Sequence, residues 1–361
     1  MHNKIISIHQ LRGFAVIFVI LFHFRSYLNE VYTQKDLGNI LFGSGAFGVD
    51  LFFMISGFII VASTEKRITA AQFIIRRFFR VYPTFIFVFI IGILSAYNSE
   101  PLEKLLRSLL LIHKDYSKPS PGFGYNTLGP AWTLTYELYF YFIFSISLIV
   151  SRENRVLISS ILITLPLVII QLYVTGSITL AGTGAIQIPS ETTLYGVIRF
   201  ISSPILIEFV IGMFLYTLYH KVEHMRNSYS GIILFLCIGI FFTFYFTPRD
   251  YDIANFGMDG YGFWSLFLMI GFLQYEKSTH FSGLESLNFL GDISYSLYIS
   301  HYLIINILNH YHPDFWINLT GLSKIIFIVT FCISVACIIH YFIEKPSIRI
   351  GKMLEFKLKN N

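Results

Sequence analysis

Apolar runs succeed one another along almost the whole chain, separated by short polar segments. They predict ten membrane-spanning helices, near 11–29, 46–63, 82–98, 130–150, 156–174, 201–219, 230–247, 262–275, 289–308 and 321–343. The run near 262–275 is the shortest. No small-residue cleavage site follows the first run, so it is expected to stay as a helix rather than be removed as a signal peptide. The fold class read from this pattern is all-α: one polytopic membrane helix bundle over 1–361, ending in a basic tail over 348–361. No loop is long enough for a second globular domain, and no internal repeat is visible.

Composition agrees with the pattern. Of the 361 residues, 55% are hydrophobic and 13% charged, against about 25% charged in a soluble domain. The 38 Phe and 23 Tyr suit lipid contact and interfacial belts. Cys237, Cys332 and Cys337 lie inside apolar runs without CxxC spacing, and read as small buried hydrophobes. With the N-terminus placed in the cytoplasm, the inner segments collect most of the 26 Lys and Arg residues. The positive-inside rule then predicts both termini cytoplasmic, with the longest outer loops near 99–129 and 175–200.

Against this apolar background, the ionisable residues inside spans stand out, because they are expensive in hydrocarbon. Arg12 and His23 share the first run, ten residues apart. On a helix they return to within roughly 20° of one face, about 16 Å apart along the axis. Counting rise from the expected span ends puts His23, Glu137 and His301 in one outer-middle layer, bracketed by Asp50 and Ser56. A histidine beside a carboxylate is a general base with its orienter, and Glu137 or Asp50 would fill the second role. A purely structural polar network is the alternative.

Arg76, Arg77 and Arg80 form a second group at the inner edge. They serve as a topology signal, and their guanidinium forks also suit phosphate oxygens of a polyphosphorylated donor. Ser294, Tyr298 and His301 follow at i, i+4 and i+7, a polar stripe expected to face the bundle. Trp132 heads the fourth span, either as an interfacial belt residue or as part of a site. His220 to His224 matches an H-x-x-E-H pattern, but in a short inner turn with no third ligand in view, so no metal is expected.

Together these residues resemble the acyltransferase-3 family of integral membrane acyltransferases. Arg12 and His23, within Leu11-Arg-Gly13, match its R-x10-H element. Gly48 to Phe58 resembles its FFxxSGF signature, and the arginine run ending in Tyr82-Pro83 its third-helix motif. Trp132 to Glu137 resembles W-S-L-x-x-E, Ser294 to His301 resembles S-Y-x-L-Y-x-x-H, and Glu344-Lys-Pro346 the closing E-K/R-P. The match runs from about residue 5 to 347. Two positions depart from the pattern: His9-Gln10 replaces the usual Asp-Gly, and Thr133 replaces Ser.

The resemblance implies transfer of an acyl group, most often acetyl, from cytoplasmic acyl-CoA to a hydroxyl of a carbohydrate or lipid-linked saccharide at the outer face of a bacterial inner membrane. Acetyl-CoA would be a substrate, with no permanently bound cofactor, and no nucleic acid is implied as a partner. His23 would be the catalytic base, and Arg12, Arg76, Arg77 and Arg80 would hold the CoA phosphates. His301 or Tyr298 would bind the acceptor or steady the oxyanion, with Ser56 and Trp132 in support. The chain reads as the stand-alone form, without a C-terminal SGNH domain. Three other readings remain at this stage. They are a covalent acyl-histidine route, an acyltransferase built on His301 and Asn306, and a secondary transporter or flippase, for which intramembrane His and Glu would form a proton relay.

Overall fold

The structure, a computed structural model, describes residues 5–66, 68–222, 227–250, 254–279 and 281–360. Lys4, Arg67, Arg226 and Asp252, which contribute to the charge bias, lie outside the described residues, as do Glu223 and His224 of the H-x-x-E-H pattern. A long helix stands at each of the ten expected positions. These are α1 (Ile6–Phe24), α2 (Phe47–Ser63), α3 (Ala70–Leu94), α4 (Trp132–Val150) and α5 (Arg155–Thr175). They continue with α6 (Leu206–Lys221), α7 (Asn227–Tyr245), α8 (Tyr261–Ser278), α9 (Glu285–Tyr311) and α10 (Gly321–Ile339). The basic tail is itself helical, as α11 (Lys345–Asn360).

Among the described residues, seven segments are long and apolar enough to cross a membrane, and α7, α8 and α9 fall short of that measure. For α9 the cause is its chemistry. It is 27 residues long but spends Asp292, Ser294, Ser296, Ser300 and His301 on one stretch. Outward faces elsewhere are apolar: Leu94, Phe142, Ile149, Leu165, Phe235 and Phe342 are all exposed. Such a surface is incompatible with water and fits a bundle dissolved in lipid.

Helix α3 begins twelve residues before its expected start. Thr69 caps it, accepting from the Gln72 backbone N–H at 3.2 Å while the Gln72 side chain accepts from the Thr69 N–H at 2.9 Å. This capping box places Arg76, Arg77 and Arg80 within the helix rather than before it. Their side chains therefore project at fixed angles from one rigid element.

Two glycine crossings set the register of the functional helices. A Cβ on Gly13 would lie 2.5 Å from the Leu287 carbonyl oxygen, and one on Gly291 would lie 2.3 Å from that of His9. Helices α1 and α9 thus touch backbone to backbone, as small residues permit in membranes. The second crossing joins α2 and α6: a Cβ on Gly57 would meet the Phe209 carbonyl at 2.1 Å, and one on Gly212 that of Met54 at 1.9 Å. Gly13→Val is expected to separate α1 from α9. Overpacking of this kind costs about 1–3 kcal/mol, read as a lower Tm in detergent together with loss of activity.

At the end of the bundle away from the arginines, the loops form a cover. Buried Arg199 holds two of them together. It donates to the Ile186 carbonyl at 2.9 Å, to the Lys118 carbonyl at 3.3 Å and to that of Tyr116, with its guanidinium over the Phe123 ring. A single antiparallel bridge, Ala181 to Gly257, ties in a third loop.

Candidate active site

A cavity of about 510 Å³ opens between α1, α2, α3, α4 and α9 at the arginine-rich end. Arg12, Arg76, Arg77, Arg80 and Lys352 line it together, so the structure gathers all four arginines expected to act as a group. Their partners differ. Arg76 forms a bidentate pair with Glu355 of α11. Arg80 donates to Glu344 at 2.5 Å. Arg77 donates to Ser63 Oγ at 2.6 Å and lies over the rings of Phe73 and Tyr141. Arg12 donates to Ser294 Oγ at 2.9 Å. Arg12 and Arg77 are thus hydrogen-bonded to neutral hydroxyls, whereas Arg76 and Arg80 are paired directly with carboxylates.

Glu344 organises the arginine-rich end of the cavity. It is fully buried and accepts from Arg80 on one oxygen, and from Ser296 Oγ at 2.6 Å and His340 Nδ1 at 2.9 Å on the other. A five-residue π-helical turn, His340–Glu344, delivers it between α10 and α11. Such turns are often found at functional positions. The sequence marks Glu344 through the closing E-K-P, but nothing local reveals that Arg80 is its partner. Tyr141, Glu355 and Lys352 carry no recognisable sequence signal.

Deeper in, the cavity is lined by Phe52, Ser56, Thr133, Glu137, Tyr141 and Tyr298. Glu137 accepts from Tyr141 Oη and, at 3.4 Å, from Ser56 Oγ. It faces the cavity and, among the described residues, makes no hydrogen bond to His23. Tyr298 closes the deep end: its hydroxyl lies 3.1 Å from Thr133 Oγ1 and donates to the Pro130 carbonyl at 3.1 Å, with Phe52 edge-on at 5.7 Å.

Behind that floor lie the two histidines. His301 packs against Tyr298 with ring centroids 6.0 Å apart, and its Nε2 lies 3.3 Å from His23 Nδ1. Their neutral tautomers follow from the acceptors around them. His301 Nδ1 sits 2.7 Å from the Tyr298 carbonyl, which can only accept, so that nitrogen carries the proton and Nε2 holds a lone pair. His23 Nδ1 sits 2.8 Å from the Val19 carbonyl and faces the His301 lone pair, so it too carries the proton. The basic atom of His23 is therefore Nε2, which has no hydrogen-bond partner among the described residues. The side chain that meets His23 Nδ1 is that of His301, while Glu137 and Asp50, expected beside His23, make their hydrogen bonds elsewhere.

Asp50 stands elsewhere. It is fully buried, accepts from the Gly257 N–H at 2.7 Å and lies close to the buried Glu208 carboxyl of α6. The two carboxyls sit where α2, α6 and the loop before α8 meet. Trp132 is buried rather than placed in an interfacial belt, packed against Phe53, Tyr136 and Phe256. His220 lies 3.7 Å from Glu65.

Fold and site together define a polytopic helical membrane protein with a guanidinium-lined cavity at one end and a histidine pair beyond it. The acyltransferase domain model of the acyltransferase-3 family matches residues 5–341. The chain belongs to that family of membrane-embedded acyltransferases. It is 30% identical over 275 residues to the exopolysaccharide production protein ExoZ of Rhizobium meliloti (strain 1021), covering 74% of this chain and 78% of that protein. It is also 29% identical over 149 residues to the acyltransferase MdmB of Streptomyces mycarofaciens, covering 38% of each. No solved structure matches the chain.

Proposed function

We propose that the protein transfers an acyl group, acetyl in the first instance, from cytoplasmic acyl-CoA to a saccharide hydroxyl presented from the opposite side of the membrane. The observation that carries this reading is that one helix, α1, holds both a charged cavity guanidinium, Arg12, and an imidazole with an unpartnered Nε2, His23. Arg12 and Arg77, with Arg76, Arg80 and Lys352 around them, suit the phosphates of CoA. His23 Nε2 takes the proton of the acceptor hydroxyl as its oxygen attacks the thioester carbonyl. The new C–O bond forms, the C–S bond breaks, and the departing CoA thiolate recovers the proton from His23. The Val19 carbonyl and His301 Nε2 together hold the His23 ring in the required tautomer. The thioester reaches His23 only when the Tyr298–Thr133 contact opens, so that contact also separates the donor from water on the far side. The name of the exopolysaccharide relative supports a saccharide acceptor.

Purified full-length protein supplied with radiolabelled acetyl-CoA and extracted cell-envelope glycans tests the reading. Label is expected in the glycan fraction as a base-labile ester. Saccharide flux in liposomes without any acyl transfer would instead establish a transporter and overturn the proposal.

A further inference from the structure

We propose that Tyr97, Tyr125, Tyr302 and Asn306 form the acceptor subsite, and that it takes a neutral pyranose ring. The assignment rests on the acyl-transfer reading for the role of His23, and on separate observations for the subsite itself. Tyr302 is the residue after His301, and its ring stands edge-on to His23 with centroids 5.4 Å apart. It occupies that position because residue 129 is glycine: a Cβ there would lie 2.9 Å from the Tyr302 ring. Asn306, one helical turn beyond Tyr302 on α9, reaches Tyr97, and Tyr125 lies against Trp132 with ring centroids 6.4 Å apart, so three tyrosines stand at the end of the bundle opposite the arginines, with Tyr302 beside the basic histidine.

Tyr125 is 56% exposed, although a large aromatic ring gains by burial. Its backbone is also in the left-handed region, with φ +60°, where a non-glycine residue is strained. Backbone hydrogen bonds fix it there, from Lys114 N–H to its carbonyl at 3.1 Å and from its own N–H to Gly122 at 2.7 Å. Strain of this kind, held in place and spent on presenting an open ring, clusters at binding sites. Asn306 Nδ2 donates to Tyr97 Oη at 2.7 Å. That leaves the Tyr97 hydroxyl hydrogen to donate, and Asn306 Oδ1, with no partner among the described residues, to accept.

The chemistry selects the ligand. Aromatic faces carry negative charge density that attracts polarised C–H groups, and one face of a pyranose presents several of these. A neighbouring donor and acceptor match vicinal hydroxyls. The nearby charges of Lys114 and Glu100 are 3.5 Å apart and offset each other, and Arg25, the cation that acts on His23, is engaged by Asn39 Oδ1 and the Phe22 carbonyl, so the subsite favours a neutral sugar over an anionic one.

Detergent-solubilised full-length protein, titrated with methyl glucopyranoside, galactopyranoside and mannopyranoside and followed by saturation-transfer NMR, tests the subsite. Methyl glucuronoside and hexanol serve as charged and ringless probes. At least one neutral glycoside is expected to bind more tightly than both probes. Tyr125→Ala, on an exposed ring, is expected to weaken it about tenfold while acetyl-CoA binding stays unchanged. Tyr302→Phe, which keeps the ring, is expected to weaken it less than Tyr302→Ala. Failure of all three neutral glycosides to bind, or equal binding by wild type, Tyr125→Ala and Tyr302→Ala, overturns the subsite. If the glycoside binds as expected but no hydroxyl is ever acylated, the acyl-transfer reading fails and the subsite stands. If acylation proceeds with unchanged saccharide KM in the variants, the subsite fails and the reading stands.

Discussion

Replacing His23 by alanine is expected to lower acyl transfer by about 10²–10⁴-fold, the range spanned by loss of a positioned general base. Donor binding should hardly change, because the cavity that carries the arginines does not include His23 among its lining residues. The loss should therefore fall on kcat, with KM for acetyl-CoA close to wild type. His301→Ala is expected to cost less. It removes the acceptor that faces His23 Nδ1, but the Val19 carbonyl, at 2.8 Å, still holds that proton. A His23→Ala protein with wild-type kcat would eliminate both general-base and acyl-histidine chemistry. Rapid quenching with radiolabelled acetyl-CoA separates these two, since only the covalent route leaves label on wild-type protein that is absent from His23→Ala.

The positions of Arg12 and His23 are legible in the sequence because helical rise and twist are fixed, so two residues in one apolar run have a known separation and a shared face. The partner of His23 is not legible in the same way. Rise along a span gives depth, and on depth alone Glu137, His301 and Asp50 are equally good neighbours. What distinguishes them is the rotation of each helix about its own axis, which packing decides. The Gly13–Gly291 crossing turns α9 so that His301 meets His23. The Gly57–Gly212 crossing brings α2 against α6, where Asp50 finds Glu208. The glycines are plain in the sequence, but their pairing is a tertiary fact.

Long-range pairing also explains why the arginine group is only half legible. Its cationic character and spacing are evident from residues 76 to 80 alone. The carboxylates that neutralise two of its members come from 264 and 279 residues further along, at Glu344 and Glu355. Without them, all four arginines look equivalent as phosphate ligands. The start of α3 is a different case, since the Thr69–Gln72 capping box is written locally. A hydropathy pattern overlooks it because the three arginines that follow depress the apolar signal of the first turns.

The unequal pairing of the arginines gives the second large expectation. Arg12→Ala is expected to raise KM for acetyl-CoA by roughly 10–100-fold. This is the loss of a charge-assisted hydrogen bond worth about 1.5–3 kcal/mol, at about 1.4 kcal/mol per factor of ten. Arg12 is well suited to this test because its hydrogen-bond partner, Ser294, is neutral, so truncation breaks no direct ion pair. Arg80→Ala is less easily interpreted, since it leaves buried Glu344 without its cation, and uncompensated buried charge destabilises the fold itself. Arg76→Ala should raise KM less than Arg12→Ala, because Glu355 already offsets the Arg76 charge. Arg12→Lys should recover part of the loss, as lysine keeps the charge but not the bidentate fork. Steady-state kinetics with acetyl-CoA and with its 3′-dephospho analogue check the assignment. If Arg12 contacts the 3′-phosphate, the analogue should have a raised KM with wild type, and that difference should vanish in Arg12→Ala. If Arg12 contacts the pyrophosphate instead, the substitution should weaken both donors equally. An unchanged KM for both donors in Arg12→Ala would remove Arg12 from the donor site and leave its place on α1, below His23, without a catalytic explanation.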